Sequence, residues 1–192
     1  MTVLCDKDIR KYLEEGKLVI HGFDISKIDP CSIDLKLGNT FKIFKHNEIS
    51  HIDIKKGLSE EFMEKVEKRD EQQFIVHPGE LILAHTKETV KLPADIVGTL
   101  DGRSSLGRIG LVIHSTANSI DPGFEGHITL EISNIAKVPV ILYPGMRVCR
   151  LAFTKLSDTC EIPYNMRKKS KYASQIGPGV SKISMDGQDK LV

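Results

Sequence analysis

Between Phe74 and Phe153 the chain reads Phe74-Ile-Val76, Leu81-Ile-Leu83, Ile96-Val-Gly-Thr-Leu100, Leu111-Val-Ile113, Ile128-Thr-Leu-Glu-Ile132, Val138-Pro-Val-Ile-Leu-Tyr143 and Val148-Cys-Arg-Leu-Ala-Phe153. Most of these runs are separated by proline or glycine turns. Short β-rich runs at that spacing predict a mainly β fold, a jelly roll or compact barrel, rather than alternating strands and helices. One run carries more information than the rest. In Gly126-His-Ile-Thr-Leu-Glu131-Ile-Ser-Asn134, the two-residue period of a strand puts Ile128, Leu130 and Ile132 on one face and His127, Thr129, Glu131 and Ser133 on the other. A carboxylate therefore points away from the core side. Facing a cleft, a partly desolvated Glu131 has the raised proton affinity that a general base needs. Facing water, it is ordinary surface charge.

Outward from this block, Asp6 to Gly16 predicts a short helix, with Ile9, Tyr12 and Leu13 on one face, Asp6 as cap and Gly16 as stop. Ile33, Leu35 and Leu37, then Phe41 and Ile43, flank Gly38-Asn39 and predict a β-hairpin. Residues 47–72 are highly charged, and Ser59, Phe62 and Val66 suggest an exposed helical insertion. From Ser157 onward periodicity is lost and Arg167, Lys168, Lys169 and Lys171 precede Gly177-Pro-Gly179, which predicts a mobile basic tail. The expected organisation is a β domain over residues 1–156 and a tail over 157–192.

The 192 residues suit one domain with a decorated edge. Lys+Arg (27) and Asp+Glu (26) nearly cancel, so no general nucleic-acid or membrane binder is expected and any anion site is local. Neither a signal peptide nor an apolar run of spanning length is visible, which makes the cytoplasm the default location. Cys5, Cys31, Cys149 and Cys160 form no C-x-x-C pair and read as reduced, buried thiols. No H-x-E with P-C-x-x-C is present, so the zinc deaminase signature is missing; a P-loop is missing too. The scattered histidines, His114 and His127 among them, read as core or rim residues.

Two further clusters bear on chemistry. Gly102-Arg-Ser-Ser-Leu-Gly-Arg108 offers two guanidiniums, two hydroxyls and flexible backbone, a set able to wrap a phosphate chain; alternatively it is a polar turn with solvated arginines. Thr116-Ala-Asn-Ser-Ile-Asp121-Pro-Gly-Phe-Glu-Gly126 presents Asp121 either to a sugar hydroxyl or a water, or simply as the cap of its own turn, with Phe124 reading as a packing aromatic.

Taken in order, these clusters resemble the dCTP deaminase branch of the dUTPase-like superfamily. The resemblance extends to Cys5-Asp-Lys-Asp-Ile-Arg10, Pro30-Cys-Ser-Ile-Asp-Leu-Lys-Leu-Gly38, Pro144-Gly-Met-Arg-Val148, Ser170-Lys-Tyr172 and Gln175-Ile-Gly177. It implies a distorted jelly-roll or β-clip barrel with a few short helices, assembled as a homotrimer with active sites between subunits. It also implies Mg²⁺ carried by the triphosphate, no zinc, and dCTP as ligand, with dUTP and dTTP as related nucleotides. By that resemblance Arg103, Ser104, Ser105, Leu106, Gly107 and Arg108 cradle the triphosphate. Asp121 binds the deoxyribose, Thr129, Leu130 and Glu131 line the pyrimidine, and Tyr164, Lys171 and Gln175 close over the nucleotide, with Arg150 also in the binding set. Glu131 would take a proton from the water attacking C4, with Ser104 and the Ala117 carbonyl positioning that water and Arg108 stabilising charge at the ring.

Of two product outcomes, deamination of dCTP to dUTP and ammonia alone is the expected one, and a bifunctional reaction ending at dUMP and pyrophosphate is the alternative. Asn118-Ser119, where similar bifunctional members carry glycine and an aromatic, and Arg150, where they carry glutamine, favour deamination to dUTP alone. The surrounding His114-Ser-Thr-Ala and Ile120 to Glu131 resemble members that continue to dUMP and pyrophosphate. A nucleotide-sensing protein without turnover is the reading from a different class.

Overall fold

The computed structural model describes residues 2–114, 116–168 and 170–188, with side chains to 186; Ser115 and Lys169, both within stretches singled out above, lie outside it, as do residues 1 and 189–192. Two antiparallel sheets enclose one core. The first runs β11 (Ser119–Ile120), β9 (Ile96–Gly102), β14 (Arg147–Lys155), β4 (Ser32–Lys36), β3 (Ile28–Asp29), with β1 (Thr2–Val3) also against β14. The second runs β10 (Leu111–Val112), β12 (Glu125–Asn134), β8 (Leu81–Lys91), β5 (Thr40–Phe44), β6 (Met63–Glu67), with β2 (Val19–His21) also on β8. A small ribbon pairs β7 (Phe74–Val76) with β13 (Val140–Leu142). The mainly β, jelly-roll-like expectation holds.

The core forms where the sheets face one another. Ile33 and Leu35 of β4, Leu100 of β9, and Leu151 and Phe153 of β14 join Ile82 and Ala84 of β8 and Leu130 and Ile132 of β12, all fully buried. Each such side chain removed from water stabilises the fold by roughly 1.5–3 kcal/mol before entropy is counted. Helix α1 (Asp6–Glu14) lays Ile9 into this core with Tyr12 and Leu13 beside it, as its periodicity predicts. Its cap is Cys5, one residue earlier than expected: Asp8 reaches back to accept from the Cys5 amide at 3.4 Å.

Three expectations are corrected. Residues 32–44 do not form a hairpin: β4 pairs in the first sheet and β5 in the second. The chain crosses between sheets at Leu37 and Gly38, whose amides donate to the carbonyls of Met146 (2.8 Å) and His85 (2.7 Å). Gly38 packs so closely on the His85 ring that a Cβ there would stand 2.3 Å from it. The glycine thus serves a crossing and not a tight turn. Second, the charged insertion is not helical. After a single 3-10 turn at Glu60–Phe62 it supplies β6, paired residue for residue along β5, with Lys42 Nζ 2.8 Å from both Glu60 carboxylate oxygens. The open edge of β5 gives those backbone groups partners, and that overrides the local helical spacing of Phe62 and Val66. Third, Cys5 and Cys31 are exposed; Cys149 alone is fully buried, and burial pushes its thiol far up. No helix among the described residues is long and apolar enough to cross a membrane.

Candidate active site

β12 alternates as predicted: Ile128, Leu130 and Ile132 are buried while His127, Thr129, Glu131 and Ser133 emerge on the opposite face. On β8, Leu83 stands opposite Glu131 and Leu81 opposite Ser133. Above this face lies a cavity of about 490 Å³. Its lining combines the apolar Phe44, Leu58, Leu81 and Leu83 with the polar Glu131, His114 and Asp121, and includes Ala117.

His114 and Glu131 define the chemistry there. His114 Nδ1 stands 3.0 Å from Glu131 Oε2, and its Nε2 donates to the Ala117 carbonyl at 2.6 Å. Burial of the imidazole works against its charge, but the contacts with Glu131 and the Ala117 carbonyl outweigh it and raise its pKa above the ordinary histidine value. The cleft therefore holds a histidine–carboxylate contact that becomes an ion pair when His114 is protonated, a state the contact itself favours. The sequence reads His114 as a core or rim residue, and its side chain is buried (7% exposed); its separation from Glu131 along the chain leaves no local signal of the contact. The Ala117 carbonyl, expected to position a water, is engaged by His114 through one of its two lone pairs.

Near the cleft β8 and β12 slip out of register. Three residues of β8, Thr86 to Glu88, face the single Ile128 of β12. The buried Thr86 hydroxyl accepts from Ile128 N at 3.1 Å and donates to the Glu88 carbonyl at 2.8 Å, satisfying groups the bulge would orphan. Both His85 Nδ1 (2.8 Å) and His127 Nδ1 (2.7 Å) meet the Thr86 carbonyl. Burial pushes the His85 pKa down.

The tail, expected to be loose, is docked on its own subunit. Tyr164 packs against Phe124 with ring centroids 6.1 Å apart and donates its amide to the Pro122 carbonyl at 2.8 Å. Gln175 forms a parallel bridge to Gly126, accepting from His127 N at 2.9 Å, and its side-chain amide donates to the Thr129 hydroxyl. That hydroxyl also accepts from Gly179 N at 3.1 Å. Beyond it, Val180 packs on Met63 and Leu83, with Phe44 and Leu58 alongside, so the charged insertion furnishes part of the tail's seat. Lys171 ion-pairs with Asp186 and Arg167 with Asp121 (3.8 Å). The docking has a plain cause: backbone groups at the start of β12, the Glu125 carbonyl and the His127 amide, find partners in Ser174 and Gln175.

The arginine turn lies elsewhere. Helix α2 (Ser104–Gly107) leads from β9 into β10, which pairs with Ser133 and Asn134 at the far end of β12. None of Arg103 to Arg108 lines the cleft. Ser104, Ser105, Gly107 and Arg108 are exposed, and Leu106 leans on the core. Arg103 Nε lies 3.3 Å from Asp34, and Arg150 Nη2 3.5 Å from Asp101. Of the predicted residues the cleft thus gathers Glu131, Thr129, Ala117, Asp121, Tyr164 and Gln175. Leu130 offers only backbone, its side chain being fully buried. Arg103, Ser104, Ser105, Gly107, Arg108 and Arg150 stand on another surface. Among the described residues no group of three or more His, Cys, Asp or Glu side chains is arranged to hold a metal ion.

Comparison with known proteins gives these features a context. The family model for dCTP deaminase-like proteins matches residues 3–156. A protein of Dictyoglomus thermophilum named dCTP deaminase, dUMP-forming, is 52% identical over 186 residues, 96% of each chain. Proteins of the same name from Methanosphaera stadtmanae and Corynebacterium glutamicum are 51% and 46% identical over 189 residues, covering 97% and 98% of this chain and 96% and 100% of their own. Among solved structures, the 2'-deoxycytidine 5'-triphosphate deaminase of Agrobacterium tumefaciens superposes with a TM-score of 0.61 at 24% identity. It covers 79% of this chain, which spans 46% of that longer one, and the likeness is one of fold.

Proposed function

This chain belongs to the dCTP deaminase-like family, and on that premise we propose that it hydrolyses dCTP to dUMP, releasing ammonia at C4 and then pyrophosphate. The observation that carries the reading is the Glu131–His114 pair in the wall of the cleft, together with relatives of about half identity over nearly the whole chain whose name specifies dUMP. Asn118-Ser119 and Arg150 favour the alternative in which reaction stops at dUTP. The relatives' names weigh more, because they concern whole chains and not a few contacts.

In the deamination, Glu131 accepts a proton from water as its oxygen bonds to C4, passes that proton to N3, and delivers the second to the departing ammonia. His114 keeps the carboxylate turned toward the cleft. The apolar lining, with Leu83 directly beside Glu131, limits water around the carboxylate and strengthens each polar contact. Asp121, at the mouth with its carboxylate half exposed, serves the sugar or a second water at the α-phosphate.

Mg²⁺ enters with the triphosphate as part of the substrate, and the arginine turn of Arg103, Ser104, Ser105 and Arg108, with Arg150, receives the phosphates. Since that turn stands apart from the cleft of the same subunit, we assign it to the cleft of a neighbouring copy in a homotrimer. Residues 1–156 form the β domain in this reading and residues 157–192 the closing tail. Lys171 leaves Asp186 for the nucleotide when the tail rearranges.

Product analysis tests the proposal. With dCTP and Mg²⁺ the expected products are ammonia, dUMP and pyrophosphate in equal amounts. Accumulation of dUTP with no pyrophosphate leaves deamination alone; binding without ammonia release refutes both.

A further inference from the structure

The first sheet carries an arrangement that the reaction has not yet used. Asp34, on β4, keeps only 15% of its side chain exposed, and one of its carboxylate oxygens, Oδ2, meets two arginines: Nε of Arg103 at 3.3 Å and Nη1 of Arg147 at 3.2 Å. Arg103 sits where β9 ends and α2 begins, and Arg147 opens β14. Asp34 thus ties three segments together at the root of the arginine turn. The strand register fixes its place: Arg150 stands opposite both Asp34 on β4 and Asp101 on β9.

A guanidinium presents five N–H donors in a rigid fork. Binding through Nε engages one edge of the Arg103 fork and leaves the Nη1/Nη2 edge, which can donate to two phosphate oxygens at once, for an anion. An arginine without such a partner loses rotamer freedom worth up to about 2 kcal/mol when it grips an anion, whereas a tethered one has lost it already. Asp34 also separates two like charges that would otherwise repel across the same patch.

We propose that Asp34 is a positioning residue of the triphosphate site, holding Arg103 in its phosphate-binding orientation and Arg147 beside it. The inference rests on the reading of the arginine turn as the phosphate cradle.

Two effects of removing the carboxylate oppose each other, and that makes the test decisive by sign. Replacing Asp34 by asparagine takes a negative charge from an anion site, which by charge alone lowers KM for dCTP; losing the tether raises it. In Asp34→Asn we expect KM to rise about tenfold, the effect of one charge-assisted hydrogen bond, with kcat within about twofold. The same substitution in an Arg103→Ala background should no longer raise KM, and should leave it level or slightly lowered by charge alone, because the tether acts through Arg103. Asp34→Glu, which keeps the charge but displaces it by one methylene, should fall between. It also carries the measurement if Asp34→Asn proves insoluble. An unchanged or lowered KM in Asp34→Asn overturns the proposal, as does an equal effect with and without Arg103. If Arg103→Ala itself leaves KM for dCTP unchanged, the phosphate-cradle reading fails and the proposal with it, an outcome distinct from failure at Asp34 alone.

Discussion

The cleft over β12 and the arginine turn after β9 are built on opposite terms. In the cleft three polar groups are held by their neighbours: Glu131 by His114, His114 by the Ala117 carbonyl, Thr129 by Gln175 and Gly179. The turn is exposed and anchored at its root by Asp34. One region holds a carboxylate and an imidazole but has no arginine among its lining residues; the other has cations on an exposed turn. On the proposed function, that difference assigns base chemistry and charge neutralisation to separate parts of a subunit, and variants in the two regions should be separable.

The strongest way to break the comparison is at Glu131. Glu131→Gln should lower kcat by about 10²–10⁴-fold, the contribution expected of general acid–base catalysis, while leaving nucleotide affinity and assembly in place. Near-normal ammonia release from dCTP by this variant would remove Glu131 from the mechanism. Next in size is complementation. Glu131→Gln and Arg108→Ala subunits, each inactive alone, should regain activity when unfolded and refolded together. Random assembly places an intact base and an intact arginine at about a quarter of shared sites. No recovery would confine both groups to one chain's own site.

A smaller change is expected at Gly126, where φ is +137° and an added Cβ would stand 2.7 Å from the Gln175 carbonyl oxygen. Gly126→Ala should lose about 1–3 kcal/mol of stability from backbone strain and release the tail to limited proteolysis after Lys171. A tail as resistant as wild type would show that the bridge to Gln175 does not hold it.

The smallest effects are in pH. For His114, whose pKa is raised, the ion pair with Glu131 contributes fully below the ordinary histidine value of about 6.5, and that contribution is lost as pH climbs through the raised one. For His85, whose pKa is lowered by burial, the unfolded chain takes up protons that the folded chain refuses. Its stability contribution therefore declines as pH falls below the ordinary value. Urea midpoints across about pH 5–8 should fall less toward alkali in His114→Asn and less toward acid in His85→Gln. Curves parallel to wild type would dismiss both assignments.

Legibility in the sequence follows the range of the interactions. The alternation of β12 and the amphipathic face of α1 are local periodicities, and both were readable because each residue's environment repeats every two or three to four positions. The crossing at Gly38 and the pairing of β6 on β5 were not, since a glycine between apolar runs signals a turn equally well whether the strands pair or part, and an edge strand is decided by the partner that needs it. In the site, Glu131 was visible as a carboxylate out of phase with the core, whereas its relation to His114 depends on a loop's path. The separation of the arginine turn from the cleft is likewise a property of topology, not of motif spacing.

Gly126 leads to a last consequence, one of heredity. Its contribution is the space its missing side chain leaves, through which Gln175 reaches the strand and, from there, the Thr129 hydroxyl. Mutational drift at Gln175 or Thr129 can substitute one polar contact for another, but any change at Gly126 fills the gap. The bottleneck on how this closure can evolve is therefore an empty position, invisible to any inventory of reactive side chains.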